Sequence, residues 1–284
     1  MFNFGTKILI SQPKTMRSHL LRRRLSIILV LILLIYVVSL ANPGHNARTF
    51  NVRDGLPSNS ISSIIQDDNG LIWIGTWNGL SFYDGYRFFT FRSSPQNGEL
   101  STNRMLRLMP DSLGNIWLIT YDHKINVLDN PVGKFRSLKS MSADSARADA
   151  FDAADFYRTP ERLYVSNRAG SELVIIDYTG DAGKYSISIK GIGEVVPGAG
   201  RFIDIVDDGA RHYWILTDKV AMSAKGDTRV PGRIIGVTSV GEETYLVGRT
   251  GHFYVCREGK PLRELPALDN FGKVNCIASL DDSH

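Results

Sequence analysis

Carboxylates, histidines and cysteines are the residues of this 284-residue chain whose types could do chemistry, and their spacing limits what that chemistry is. Acids recur at turns as Asp67, Asp68, Asp111, Asp207 and Asp208. A glycosidase or lyase needs two acids converging on one pocket, whereas bonding to the turn's own amides accounts for Asp in a turn. The six histidines are scattered, and His19 lies in the N-terminal segment. No His-Glu-x-x-His, Gly-x-Ser-x-Gly or phosphate-loop pattern occurs. The expectation is therefore no catalytic residue, no metal site and no cofactor. Cys256 and Cys276 are the only cysteines. They fall on neighbouring repeat units, so an oxidising compartment would permit a bridge, and a buried unpaired core cysteine is the alternative.

The elements that position these residues repeat. Gly70-Leu71-Ile72-Trp73-Ile74-Gly75-Thr76 follows the turn Asp68-Asn69-Gly70 and precedes Trp77-Asn78-Gly79. The chain writes it again, 44 residues on, as Gly114-Asn115-Ile116-Trp117-Leu118-Ile119-Thr120. Leu56-Pro57-Ser58-Asn59-Ser60-Ile61 recurs at the same offset as Leu100-Ser101-Thr102-Asn103-Arg104-Met105. A period of roughly 40–50 residues with one aromatic-centred strand per unit marks a propeller blade. In the first unit four strands are expected at Ile61–Ile65, Leu71–Thr76, Leu80–Tyr83 and Arg87–Phe91. The second unit places them at Met105–Met109, Ile116–Thr120, Ile125–Leu128 and Lys134–Leu138.

The Ala, Asp and Ser-rich stretch Ser140–Ala154 reads as a loop or short helix inserted between units. Beyond it the repeat decays. Arg162–Ser166 and Leu173–Asp177 belong to a third unit, Tyr213–Thr217 to a fourth, and Thr244–Gly248 with His252–Val255 to a fifth. Val274-Asn275-Cys276-Ile277 resembles the start of a sixth. The expected fold is all-β: a β-propeller of four-stranded antiparallel blades, about five complete and a sixth begun, over residues 42–284. The chain stops at His284, where the next Trp strand is due, and so reads as the front part of a longer protein with its ring incomplete.

Composition agrees with a sizeable core, since 43% of residues are hydrophobic. Of the 33 basic residues, six precede Asn42 and face no acid there, which leaves 27 basic against 29 acidic ones in the rest. That near-neutral body argues against nucleic-acid binding. Residues 1–41 read as a signal peptide or membrane-anchor helix. Arg22-Arg23-Arg24 leads an apolar run from Leu25 to Val38, and Ser39-Leu40-Ala41 fits a cleavage site. The run is short for a spanning helix, which needs about 20 residues. Met16 offers an alternative start that leaves a conventional leader. Either way the body is exported.

Asp54-Gly55-Leu56-Pro57-Ser58-Asn59-Ser60-Ile61, Gln66–Thr76 and Asn78–Gly85 together resemble the two-component-regulator propeller repeat, most clearly over residues 50–138. The resemblance implies a sensor in the periplasm, part of a hybrid two-component system of Bacteroidetes. In such proteins two propellers and an immunoglobulin-like domain lie outside the membrane, with a histidine kinase, a receiver and a DNA-binding domain inside. It also implies recognition of a glycan-derived oligosaccharide, a paired (homodimeric) receptor, and attachment to the membrane through the N-terminal segment or a downstream helix. The alternatives are a glycan-active propeller enzyme and a structural propeller with a protein partner.

Within that family the exposed chemistry is expected in the loops entering the inner strands and in the turns after the Trp strands. Those segments hold Asn59, Trp77, Asn78, Asn103, Arg104, Tyr121, Asp122, His123, Asn167, Arg168 and Arg249. Aromatic faces with Asn, Arg and Asp suit a sugar, whose C–H faces stack on rings and whose hydroxyls need paired donors and acceptors; solvated turns are the alternative for each. Trp73 and Trp117 sit mid-strand, where packing between blades accounts for them. The Asp-x-Gly-x-x-Trp spacing of Asp68, Gly70 and Trp73 also resembles the Asp-box of sialidase-like propellers, itself a structural device.

Overall fold

The computed structural model describes residues 47–94, 99–129, 133–178, 184–209, 212–257 and 262–265. The expected signal or anchor segment, the expected start of a sixth unit and Cys276 lie outside them. The described residues from Phe50 on form one compact unit.

The chain from Phe50 builds five four-stranded antiparallel sheets, each in strictly sequential strand order. The first holds β1 (Ile61–Gln66), β2 (Ile72–Thr76), β3 (Gly79–Tyr83) and β4 (Phe88–Phe91). The second holds β5 (Met105–Pro110), β6 (Ile116–Thr120), β7 (Ile125–Asp129) and β8 (Lys134–Ser137). The third comprises β9 (Ala153–Arg158), β10 (Arg162–Asn167), β11 (Glu172–Asp177) and β12 (Ser186–Gly191). The fourth comprises β13 (Phe202–Asp207), β14 (Tyr213–Thr217), β15 (Val220–Ser223) and β16 (Arg229–Pro231). The fifth comprises β17 (Ile234–Val240), β18 (Glu243–Gly248), β19 (Phe253–Arg257) and β20 (Arg263–Leu265). These are the blades of a β-propeller. The inserted stretch holds two short helices, α1 (Leu138–Met141) and α2 (Ser145–Ala150), and a third, α3 (Ile192–Val195), links the third and fourth blades. The insertion ends earlier than the composition suggests, because Ala153 and Ala154 already belong to β9.

Each sheet has two apolar faces, and stacking buries them between neighbours. Trp73 and Leu80 pack on Met105, Leu108, Ile116 and Leu118 of the second blade. Trp117 and Val127 pack on Phe156, Leu163 and Val165 of the third, with Leu138 and Ala148 of the helices closing the same core. Tyr164 and Ile175 then meet Phe202, Ile215 and Val220, and Trp214 and Leu216 meet Ile234, Leu246 and Tyr254. The first strands line up side by side: β1 lies against β5, β5 against β9, and β13 against β17. All five first strands carry a register shift near their start, which skips Ser62, Leu106, Ala154, Ile203 and Ile235. Such a bulge sharpens the local twist. Pairing, not residue type, reveals it.

The buried Trp is held by a carboxylate, and this corrects the Asp-box reading. Asp67, not Asp68, is the anchor. Asp67 Oδ1 accepts from the amides of Asn69 and Leu71 at 2.9 Å each, and its Oδ2 accepts from Trp73 Nε1 at 2.8 Å. Asp68 points outward and, among the described residues, its side chain meets only Arg158, at 3.8 Å. Asp111 does the same in the second blade. Its Oδ1 takes the amides of Leu113 and Asn115, and its Oδ2 takes Asn115 Nδ2 and Trp117 Nε1 at 2.9 Å. Tyr178 of the third blade donates to Asp111 Oδ2 as well, at 3.2 Å. Burial and the adjacent Asp111 charge push the Tyr178 phenol well above its ordinary value, so it stays a donor. The fourth blade keeps Asp208 six residues before Trp214, but Asp208 Oδ2 accepts from Ser239 and Thr244 of the fifth blade instead, and Trp214 Nε1 has no partner among the described residues.

Replacing Asp111 with Ala strands buried donors on Trp117, Asn115 and Tyr178. It is expected to lower unfolding free energy by about 3 kcal/mol in denaturant titration. Asp68→Ala, which removes only an exposed pair, is expected to change it by less than about 0.5 kcal/mol.

Candidate functional site

One end of the blade stack is assembled by a hydrogen bond that recurs in all five blades. The residue just after the second strand donates its backbone N–H to the carbonyl of the residue just before the first strand. The pairs are Trp77 to Ser60 (3.1 Å), Tyr121 to Arg104 (2.9 Å), Arg168 to Asp152 (2.9 Å), Asp218 to Arg201 (2.9 Å) and Arg249 to Arg233 (2.9 Å). A second backbone bond joins each blade to the next at the same end: Gly79 N–H to Asn103, Ala153 N–H to His123, Phe202 N–H to Gly170, and Gly232 N–H to Lys219. Ten short segments therefore form one continuous rim. Five lead into first strands (58–60, 101–104, 151–152, 199–201, 231–233) and five are turns after second strands (77–78, 121–124, 168–171, 218–219, 249–252).

Buried threonines hold three of these turns. Thr76, Thr120 and Thr217 are fully buried, and each Oγ1 donates to the carbonyl of Gly79, Lys124 or Val220 at 2.8, 3.0 and 2.8 Å. Asn167 takes that part in the third blade, where its Oδ1 accepts the amides of Ser171 and Glu172. Anchored in this way, the residue that follows each strand is pushed into solvent.

The rim brings Trp77, Arg104 and Tyr121 together. Trp77 is 52% and Tyr121 54% exposed. Their ring centroids are 6.4 Å apart at 56°. The Arg104 guanidinium lies 5.5 Å from the Trp77 ring and 5.8 Å from the Tyr121 ring, within cation–π range of both. Exposed aromatic faces flanking one guanidinium are a stacking surface with a forked donor. Asp122 sits beside them and accepts from Ser101 Oγ at 3.1 Å.

The remaining expected residues divide by what their side chains do. Asn59 Oδ1 accepts the Val52 amide, Asn78 Nδ2 donates to the Pro57 carbonyl, and Asn103 Oδ1 accepts the Ser93 amide at 2.7 Å. The first two fasten the lead-in of the first blade, and Asn103 ties the connection between the first and second blades. His123 adopts a left-handed backbone, φ 61°, and its Nδ1 lies 2.9 Å from the Ala153 carbonyl, which fixes the proton on that nitrogen. It clamps the second junction. Arg168 pairs with Asp152 at 3.6 Å, and Arg201 Nη2 donates to the Arg168 carbonyl at 3.2 Å. The Arg201 stem crosses Gly170, where a Cβ would lie 2.6 Å from Arg201 Cγ. Arg249 is exposed at the far end, in the fifth blade, beside Arg233.

Sequence reasoning missed Asp152, Arg201, Asp218 and Arg233 on this rim. They precede first strands, or follow a second strand, in blades where the repeat has decayed; the regular offset from the buried second strand was the available signal. It also missed Asn126. This buried residue of β7 lines a cavity of about 580 Å³ bounded by Ser101 and Lys124 of the rim and by Leu138 and Ala148 of the helices, and its Nδ2 has no partner among the described residues. Below the rim, Asp155 on β9 pairs with Arg107 on β5 at 3.6 Å. Burial raises the carboxyl of Asp204 on β13 above its usual 3.8, and the Asp155 charge adds to that, against the opposing Ile205 amide bond. No group of metal-ligating side chains occurs among the described residues. Cys256 is buried, and its Sγ lies 3.7 Å from the Thr244 carbonyl.

Residues 55–78 match the two component regulator propeller family. This repeat runs from Gly55 through β1, the Asp67 turn and β2 to Trp77 and Asn78 of the rim. Histidine kinase P4 of Formosa agariphila is 31% identical over 77 residues, which are 26% of this chain and 6% of the kinase. The chain thus covers a small part of that relative. Among solved structures, the extracellular domain of the putative hybrid two component system BT3049 from B. thetaiotaomicron is 15% identical. The match covers 78% of this chain and 37% of that one, with a TM-score of 0.36. Virginiamycin B lyase from Staphylococcus aureus is 16% identical over 72% of this chain and 69% of that one, with a TM-score of 0.41.

The raised Asp204 carboxyl has a pH signature. The folded chain holds that proton to higher pH than the unfolded chain, so stability falls as pH rises from about 4 through the raised value. Asp204→Asn removes the loss. Its thermal midpoint is expected to exceed that of the parent at pH 7 and to match it below pH 3.

Proposed function

We propose that this chain is the exported sensor portion of a hybrid two-component protein, that it recognises a glycan-derived oligosaccharide at the rim, and that it signals to a cytoplasmic histidine kinase encoded beyond this chain. The observation that carries the reading is the Trp77–Arg104–Tyr121 cluster, which straddles the junction of two blades. A ligand that stacks there touches both blades at once, so binding is sensitive to their relative position. That coupling is what a sensor requires, because a ligand binding two receptor arrangements equally transmits nothing. The family match over residues 55–78 supports the two-component assignment. Export is supported by the basic and apolar leader sequence. Among the described residues no helix is long and apolar enough to cross a membrane. Pairing of two receptors to pass the signal inward belongs to the same proposal.

A glycan-cleaving propeller is the competing reading, and Asp155 with Asp204 is the feature that favours it, since two nearby carboxyls with one raised resemble a general-acid pair. The sensor reading gives them no catalytic part.

Calorimetric titration with a glycan panel separates the two. Binding without new reducing ends is expected, and Trp77→Ala and Arg104→Ala are each expected to weaken it by about tenfold, the worth of a lost stacking or charged contact. Unchanged affinity in both variants removes these turns from the site. Turnover abolished by Asp204→Asn would establish the enzyme.

A further inference from the structure

We propose that the sugar taken at this rim is an acidic one, an oligosaccharide bearing carboxylates or sulfates, and that arginines of the later blades hold those groups. The inference rests on the sensing role proposed above and specifies its ligand.

The charge of the molecule is segregated along the strand direction. The ten rim segments carry seven lysines or arginines and three aspartates, although the body as a whole has slightly more acids than bases. The opposite end shows the reverse. Its turns between first and second strands carry Asp67, Asp68, Asp111, Glu161, Asp208 and Glu242 against a single cation, Arg211. Cations gathered on one end of a near-neutral body raise the local concentration of anions there.

The rim's acids are already engaged by the rim. Asp122 accepts from Ser101 Oγ, Asp152 pairs with Arg168, and Asp218 Oδ1 accepts the Arg201 amide at 2.7 Å. Its cations are not matched in the same way. Arg233 and Arg249 are exposed neighbours, joined through their backbones, and neither side chain makes a hydrogen bond or ion pair among the described residues. Arg104 contributes its face to two rings and leaves its N–H fork unused among the described residues. A guanidinium matches carboxylate or sulfate oxygens two at a time, where a neutral hydroxyl engages one donor. Aromatic rings at one end of the arc and unpaired guanidiniums along it suit a chain of sugar rings with acidic substituents, rather than a small anion or a neutral glycan.

The test uses the full chain in detergent, titrated calorimetrically with matched probes. One pair is an oligogalacturonate and its carboxyl-reduced neutral form; the other is a sulfated oligogalactan and its desulfated form. In at least one pair the charged member is expected to bind at least about tenfold more tightly, an advantage that shrinks as salt rises. The pair that shows it identifies carboxylate or sulfate. R233Q/R249Q is expected to erase most of that advantage while leaving the neutral member unchanged, and Arg249→Glu alone acts in the same direction. Both positions lie outside strands, and circular dichroism confirms that each variant keeps its fold. Neutral members binding as tightly as charged ones, with no salt effect, would overturn the charge assignment and leave the sensing role intact. Absence of binding by every sugar would overturn both. Equal binding of inorganic polyphosphate would show an anion patch with no preference for sugar, and would overturn the proposal.

Discussion

A four-stranded sheet with two apolar faces has no stable existence in water alone, and every feature of this chain follows from the need to cover those faces. Trp73, Trp117, Tyr164 and Trp214 project from successive second strands into the gap before the next blade, or onto its neighbour, and each gap fills with branched aliphatic side chains. An indole in such a gap brings a polar N–H with it. Asp67 and Asp111 meet that N–H with a carboxylate that also ties the turn, so one buried side chain satisfies both the core and the hairpin. In the fourth blade the same carboxylate bonds across to the fifth. There the strap runs between blades as well as within one, since Asp208 Oδ1 still accepts the His212 amide.

The division between the two ends comes from this arrangement. At the first-to-second strand turns of the first two blades, Asp67 and Asp111 are consumed by amides and indoles. At the other end the threonine-anchored turns and the strand lead-ins are tied through their backbones, so their side chains are released. The rim holds its shape without using Trp77, Arg104, Tyr121, Arg233 or Arg249 as structural members, which leaves them available for recognition. His123 and the asparagines do the opposite work, and close the junctions on which the rim depends.

Much of this was legible in the residues. The 44-residue recurrence of the Trp strand predicts the first two blades strand by strand, and the turn after it leads directly to Trp77 and Tyr121. Legibility falls where one repeat residue is replaced by another that does the same physical job. Tyr164 fills the Trp position in the third blade behind a shorter Thr159-Pro160-Glu161 turn, so the strand expected at Arg162–Ser166 is legible from its apolar run and not from a Trp or a turn Asp. Asp67 and Asp68 are adjacent acids, and only burial tells the anchor from the solvated one. The bulges of the first strands are a property of pairing and have no residue signature. Asp152, Arg201, Asp218 and Arg233 come onto the rim through backbone bonds that any residue can make, so their types carried no signal.

Amide hydrogen exchange of the full chain, with and without the tightest-binding sugar, tests the central claim most directly. Recognition at the rim predicts slowed exchange at residues 77–79, 101–104 and 121–124, with no change at the acid-anchored turns 67–71 and 111–115. Protection confined to those acid turns, with the rim unchanged, would contradict it.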